Sequence, residues 1–352
     1  MPDILDDSKQ IKALDKSDFG LFLQKFPNFL EENYPLFRSG FSFSPRSFQN
    51  VIICGMGGSA ISGDVISNLL THVLPVNIFV SRGYTLPAYA NKNTLVILVS
   101  YSGETEETLS SCRDAEKKGI SPVVVASGGK ILKLAQDKKW AYIELPKDFQ
   151  PRAAFPVILA ALLTIFEKNW SNLSFAADVS QSVATLKKLR NKISLEVPLL
   201  KNFIKQMAQK IKGKLPLIYS PAEIRSVAYR MKSQFNENAK KLALHGIFPE
   251  LNHNELAALG DLKRGEHDFA LIILRSEIRE ERVNKSMDIV KSLISPHFGG
   301  IIEIAAEGHS LLERMLYLVY AGDYLSYYVA LAEEKDPSLI EAITKLKREL
   351  SR

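Results

Sequence analysis

Val51-Ile52-Ile53-Cys54-Gly55-Met56-Gly57-Gly58-Ser59-Ala60 is the stretch on which the fold turns. Four apolar residues without polar alternation read as a strand buried on both faces, and the glycines after it read as a tight turn into a helix. The same rhythm continues downstream. Residues 76–80, 95–99 and 123–126 are further unbroken apolar runs, and Tyr142-Ile143-Glu144-Leu145 is a weaker fifth. With helical stretches between several of them, these runs predict a parallel sheet covered on both faces, a doubly wound, flavodoxin-like α/β domain. A long apolar helix over 155–170 closes it.

Working outward, residues 1–40 read as a helical lead-in, because Phe19, Phe22, Phe26 and Phe29 recur at the period of one helix face. Residues 171–195 are polar, helical in pattern, and read as a bridge. A second unit of similar design follows, with strands expected at 217–219, 269–274 and 301–305 and C-terminal helices over 311–331 and 337–350. A chain of 352 residues suits two domains at about 150 residues each. The expected boundaries are 1–45 for the helical lead-in, 46–172 for the first α/β domain and 173–352 for the second with its C-terminal helices.

Apolar residues at 46% and charged residues at 24% match a globular chain and argue against disorder. The two cysteines, Cys54 and Cys112, form no CxxC pair, which excludes a disulfide scaffold and a cysteine-ligated zinc site and fits a reducing compartment. The net charge of +6 suits anionic small substrates as well as nucleic acid. There is no dense basic block interleaved with aromatics, so no nucleic-acid partner is expected. The acidic N-terminus lacks a signal h-region, and the run 155–166 falls short of the roughly 20 residues needed to cross a bilayer. A cytoplasmic protein with no membrane partner is the expectation.

Two loops carry the chemistry. Gly55-Met56-Gly57-Gly58-Ser59-Ala60 lets the backbone approach an anion at a helix start. It also fits the dinucleotide fingerprint G-x-G-x-x-A, with Arg82 after the second strand as a candidate for a 2′-phosphate. The second loop is Ser100-Tyr101-Ser102-Gly103-Glu104-Thr105, at the carboxyl end of the third strand. Helix capping by Ser102 or Gly103 accounts for part of it. Three hydroxyls, from Ser100, Ser102 and Thr105, exceed what a cap needs and suit a phosphate monoester. Glu104, Glu106 and Glu107 should then point away from the phosphate.

With Gly57-Gly58-Ser59 in the first loop, this second loop resembles the phosphosugar loops of the sugar isomerase (SIS) domain. The further strings Pro151-Arg152, Asn236-Glu237-Asn238-Ala239-Lys240 and Asn252-His253-Asn254-Glu255, in that order, make residues 45–350 similar to the bifunctional phosphoglucose/phosphomannose isomerases. The resemblance implies two SIS-type domains and an intramolecular oxidoreductase of glycolysis and gluconeogenesis. It would interconvert glucose 6-phosphate, and mannose 6-phosphate, with fructose 6-phosphate through a cis-enediol(ate), without a cofactor or metal. It also implies a homodimer.

Such a reaction needs a base beside C1 and C2, a cation near the developing oxyanion, and an acid/base to open the sugar ring. By resemblance Glu237 is the base; by its sequence alone it could as well be a surface glutamate paired with Lys240 or Lys241. Arg152, at the start of the closing helix, carries a fixed charge that could stabilise the enediolate, or could form a structural ion pair. Histidine titrates near neutrality, as ring opening requires. The resemblance gives that role to His253, reaching into the neighbouring subunit, with His245 in reserve. A C-terminal lysine is implied as well, and register favours Lys345, seven residues after Ser338, over Lys347. Ser338 stands where the family has a threonine thought to leave room for rotation about C2–C3. Gly57, Gly58, Ser59, Ser100, Ser102 and Thr105 would hold the phosphate. A non-catalytic sugar-phosphate regulator and an NADP-dependent oxidoreductase are the alternatives. An amidosugar-forming enzyme would usually carry a glutaminase with an N-terminal cysteine, and no such cysteine is present.

Overall fold

The computed structural model describes residues 3–147, 149–262, 269–277, 280–298 and 300–350. The lead-in forms two helices, α1 (Ser8–Leu14) and α2 (Phe19–Gly40). The unbroken apolar runs then become strands, since a strand covered on both faces has no polar side to present. β1 (Asn50–Cys54), β2 (Asn77–Ser81), β3 (Thr94–Val99), β4 (Val123–Ala126) and β5 (Tyr142–Glu144) form a five-stranded parallel sheet in the order β2-β1-β3-β4-β5. β3 is buried along its whole length. The helices α3 (Gly57–Leu70), α4 (Glu106–Lys117), α5 (Gly129–Asp137) and α6 (Phe155–Asn169) complete this doubly wound layer. The strand order reverses between β1 and β3, and open α/β sheets bind ligands outside the carboxyl ends of strands at such a point.

α6 explains the apolar run at 155–166. Every residue from Phe155 to Phe166 is buried, so the helix is apolar all round because it is covered all round. Among the described residues, no helix is long and apolar enough to cross a membrane.

After α7 (Ala176–Ile193) and α8 (Phe203–Ile211) comes a second parallel sheet. Along it run β6 (Leu215–Pro221), α9 (Arg225–Asn238), β7 (Leu244–Phe248), α10 (Glu255–Asp261), β8 (Phe269–Arg275), α11 (Glu281–Ile294) and β9 (Ile301–Ala305). The sheet order is β7-β6-β8-β9. α12 (Leu311–Ala332) and α13 (Glu341–Leu350) end the chain. Two compact units result: Lys25–Ala184 with Ser310–Leu312, and Met1–Gln24 with Thr185–His309 and Glu313–Arg352.

Two elements depart from expectation. β7 has no counterpart among the strands expected from sequence: as an edge strand with Leu244 half exposed and His245 and Gly246 in its middle, it shows no unbroken apolar run. The last helix starts at Glu341 and not at Pro337. The Asp336 carboxylate accepts the Ser338 N–H at 2.7 Å, so Asp336-Pro337-Ser338 is a side-chain-closed turn ahead of the helix.

The lead-in has a structural task in the second unit. The buried tyrosines of α12 donate to it and to its surroundings: Tyr320 to the Leu23 carbonyl at 2.9 Å, Tyr327 to the Asp15 carboxylate at 2.9 Å, and Tyr328 to the Ile193 carbonyl at 2.6 Å. The same Asp15 carboxylate accepts the N–H groups of Phe19 and Gly20, both at 2.8 Å, at the start of α2.

Candidate active site

In the first unit, the glycine-rich turns after β1, β3 and β4 come together. No side chain caps α3, whose N-cap is Met56, and Gly57 begins it at φ +50°. A Cβ on Gly58 would lie 3.1 Å from the Pro151 carbonyl and 3.4 Å from the Arg152 Cα. Glycine is therefore what allows the first loop to lie against Pro151-Arg152. Ser59 and Arg152 are both buried.

The second loop is closed by its own hydroxyls. Ser100 Oγ lies 2.8 Å from Thr105 Oγ1 and accepts the Gly103 N–H at 3.1 Å, and Ser102 Oγ accepts the Glu104 N–H at 3.3 Å. The N-cap of α4 is Thr105, without a side-chain capping bond, and not Ser102 or Gly103 as the spacing suggested. Ser100 is buried, whereas Ser102 faces solvent. Glu104 turns to Lys130, pairing with its ammonium at 2.9 Å and accepting its N–H at 2.8 Å. The hydrogen bond from the Lys130 side chain, followed by that from its N–H, holds the Glu104 carboxyl below the usual carboxylate range.

A third loop, Ser127-Gly128-Gly129, belongs to the same cradle and was missed from sequence. Gly103 (φ +71°) and Gly129 (φ +72°) interlock: a Cβ on Gly103 would lie 1.9 Å from the Gly128 carbonyl oxygen, and one on Gly129 2.5 Å from that of Ser102. Ser127 donates to the Tyr101 carbonyl through both N–H (2.9 Å) and Oγ (2.6 Å). Tyr101 also donates its hydroxyl to the Pro146 carbonyl at 3.0 Å and accepts the Phe149 N–H at 2.8 Å, tying the second loop to the segment that leads to Arg152. The signal was present, since Val123–Ala126 runs into glycines and a helix as β1 does.

In the second unit, Glu237 is the penultimate residue of α9 and has an asparagine on either side. Asn236 Oδ1 accepts the Ala243 N–H at 3.2 Å, and the buried Asn238 donates to Ser326 Oγ on α12 at 2.9 Å. Two turns back on α9, Arg230 pairs with Asp323 of α12 at 2.7 Å, both fully enclosed. Burial pushes the Asp323 carboxyl up, and Arg230 opposes that shift. Beyond the helix, Lys241 pairs with Glu333 at 2.7 Å, and Lys240 donates to the carbonyls of Asn238 (3.1 Å) and Asp336. Lys240 thereby links the carbonyl next to Glu237 to the turn that holds Ser338, and Ser338 Oγ is buried without a hydrogen-bond partner.

The remaining candidates sit apart from that link. His253 ends a short 3-10 turn after β7 and is exposed. His245, on β7 itself, is half-buried with its ring 5.4 Å from that of Tyr229. Burial and then the Lys232 charge depress its pKa. Lys345 and Lys347 lie on α13, which buries none of its side chains. Because that helix starts at Glu341, counting helical register from Ser338 does not distinguish the two lysines. Arg82, the candidate for a 2′-phosphate, is ion-paired with Asp64. Among the described residues, no cluster of three or more His, Cys, Asp or Glu could hold a metal ion.

Both halves of the chain match known families: the SIS domain over residues 46–167, and the bacterial phospho-glucose isomerase C-terminal SIS domain over residues 200–350. The chain is 36% identical over 307 residues to a bifunctional phosphoglucose/phosphomannose isomerase of Caldicellulosiruptor bescii, covering 87% of this chain and 91% of that protein. It is 33% identical to the protein of the same name from Thermoplasma acidophilum, covering 88% of this chain and 92% of that one. Among solved structures, a glucose-6-phosphate isomerase like protein from Thermus thermophilus superimposes with a TM-score of 0.66 at 18% identity, covering 99% of both chains. That likeness supports the two-sheet SIS-type fold. With relatives this similar over nearly the whole of both chains, and a matching domain in each half, the chain belongs to the family of bifunctional phosphoglucose/phosphomannose isomerases.

Proposed function

We propose that this protein is an aldose–ketose isomerase that interconverts glucose 6-phosphate and mannose 6-phosphate with fructose 6-phosphate. The observation that carries the reading is the cradle of the first unit, where glycines and hydroxyls gather at three strand ends, two of the loops interlock, and the first lies against Pro151-Arg152 through Gly58. Ser59, Ser100, Ser102 and Thr105, with backbone N–H groups of Gly57 and Gly58, bind the phosphoryl group. Such a set suits a dianion, because N–H and O–H donors replace its water shell while the helix starts complement its charge.

Glu237 removes the C2 proton of the open-chain aldose and returns it to C1, passing through a cis-enediol(ate). Arg152 stabilises the oxyanion without taking part in proton transfer, since guanidinium keeps its charge. His253, with Lys345 or Lys347 of the last helix, opens the ring. In this reading His253, exposed on its own chain, completes the neighbouring subunit's site in a homodimer. Proton transfer between adjacent carbons balances without a cofactor. Ser338, small and with an unpartnered hydroxyl, leaves room for the C2–C3 rotation that serves both epimers. The protein acts on metabolites of the cytoplasm.

The test is a proton NMR time course with fructose 6-phosphate in D2O, without added metal or cofactor. Anomeric signals of both aldose phosphates, with solvent exchange at C1, are the expected result. Glucose 6-phosphate alone would remove the role given to Ser338. Absence of product and of exchange would overturn the isomerase reading.

A further inference from the structure

Two consecutive lysines follow the helix that carries Glu237, and neither has a part in the chemistry proposed above. Both reach the same distant stretch, residues 333–338. Lys241 pairs with Glu333 at 2.7 Å, and that carboxylate also accepts the Gly213 N–H at 3.0 Å and pairs with Lys335 at 2.9 Å. Lys240 does something less usual. Its ammonium donates to two main-chain carbonyls, that of Asn238 at 3.1 Å and that of Asp336. The Asp336 carboxylate in turn holds the Ser338 N–H at 2.7 Å. One side chain thus spans from the main chain next to Glu237 to the main chain two residues before Ser338.

The backbone of Lys240 makes the same point. It sits just past the helix cap at φ +51°, in the left-handed region where glycine or asparagine ordinarily ends a helix. Glycine would take that conformation without strain, so what lysine adds at this position is its side chain. The residue is exposed, and replacing it removes no core packing.

We propose that Lys240 is a positioning residue that sets the preference between the two aldose phosphates, by holding Ser338 in register with the helix end that bears Glu237. The proposal rests on the roles given above to Glu237 and Ser338. The two aldoses differ only in configuration at C2, so one base serves both only if the sugar turns about C2–C3. Space beside that bond is then the quantity that distinguishes them. A shift of the 336–338 stretch changes that space, and it affects the epimer that must turn more than the one that need not.

The experiment uses the full chain as wild type and as Lys240→Gly, Lys240→Asn and Lys240→Arg, with kcat and KM measured on each aldose phosphate beside a thermal melt. Glycine and asparagine accept the left-handed backbone but cannot reach the Asp336 carbonyl; arginine keeps charge and reach. The ratio of the two kcat/KM values is expected to shift by about fivefold or more, in the same direction, in the Gly and Asn variants. The change should lie in kcat, with the Arg variant close to wild type. A ratio unchanged in both the Gly and Asn variants, whatever happens to absolute rate or melting temperature, overturns the proposal and leaves Lys240 a structural tether. A wild type that turns over neither aldose overturns the isomerase reading and this proposal with it. An active wild type with an unchanged ratio overturns this proposal alone.

Discussion

Glu237 and the loop glycines are where single side chains decide most. General-base catalysis contributes typically 10²–10⁴-fold, so Glu237→Gln should lower kcat by about a thousandfold. Binding of a sugar phosphate should survive, because the groups proposed to bind the phosphate lie in other residues; a kcat loss with calorimetric binding retained is the check. Gly103→Ala tests the cradle. At φ +71°, with the added Cβ 1.9 Å from the Gly128 carbonyl oxygen, the loop must move. A cost of about 3 kcal/mol in stability is expected, with a raised KM, read from denaturant titration and initial rates. The first two loops were legible in sequence because glycines and hydroxyls cluster after apolar runs. Ser127-Gly128-Gly129 carried the same local signal, and only its interlock with Gly103 identifies it as part of the cradle. Arg152 was legible as a candidate through its motif, whereas its lying against Gly58 is a fact of packing.

The α9–α12 pair is the element that holds Glu237, the proposed base. Arg230 with Asp323, and Asn238 with Ser326, pin the helix along about two turns. Arg230→Met leaves a buried carboxylate without its partner and should cost about 3–5 kcal/mol, while Arg230→Met with Asp323→Leu should recover much of that loss. Equal losses in the single and double variants, by urea denaturation, would contradict this account. The stretch after α12 supplies a pH signature. Burial works to raise the Glu333 carboxyl, but hydrogen bonds from Lys241, Lys335 and the Gly213 N–H outweigh it and hold the pKa below its ordinary value of 4.5. A carboxyl depressed by folding contributes stability above its unfolded pKa, and that contribution is lost as pH falls through the folded value. Wild type should therefore lose stability more steeply than Glu333→Gln as pH drops below about 5. Parallel pH profiles for the two would remove Glu333 as a source. Apart from the local Glu333–Lys335 pair, none of this network is visible in sequence, since its partners lie between 88 and 120 residues apart.

At the scale of the whole molecule, the proposed chemistry has His253 act in a neighbouring chain of a homodimer. Mixing Glu237→Gln with His253→Ala subunits should restore partial activity if His253 serves its neighbour's site. No recovery, once subunit exchange is demonstrated by mass, would require each chain to supply its own histidine. The sequence by itself determined the two parallel α/β sheets, the glycine- and hydroxyl-rich loops at strand ends and the family, because these depend on apolar runs, glycines and hydroxyls that are contiguous in the chain. Tertiary structure decided what depends on contacts between distant residues. β7 is a strand because β6 pairs with it, although its own residues lack the pattern. Asp336-Pro337-Ser338 is a turn because the Asp336 carboxylate closes it, although proline is at home in a helix's first turn. Lys240 meets the Asp336 carbonyl across ninety-six positions. Local composition specifies which elements form; the partner each side chain meets is settled only when the chain has folded back on itself.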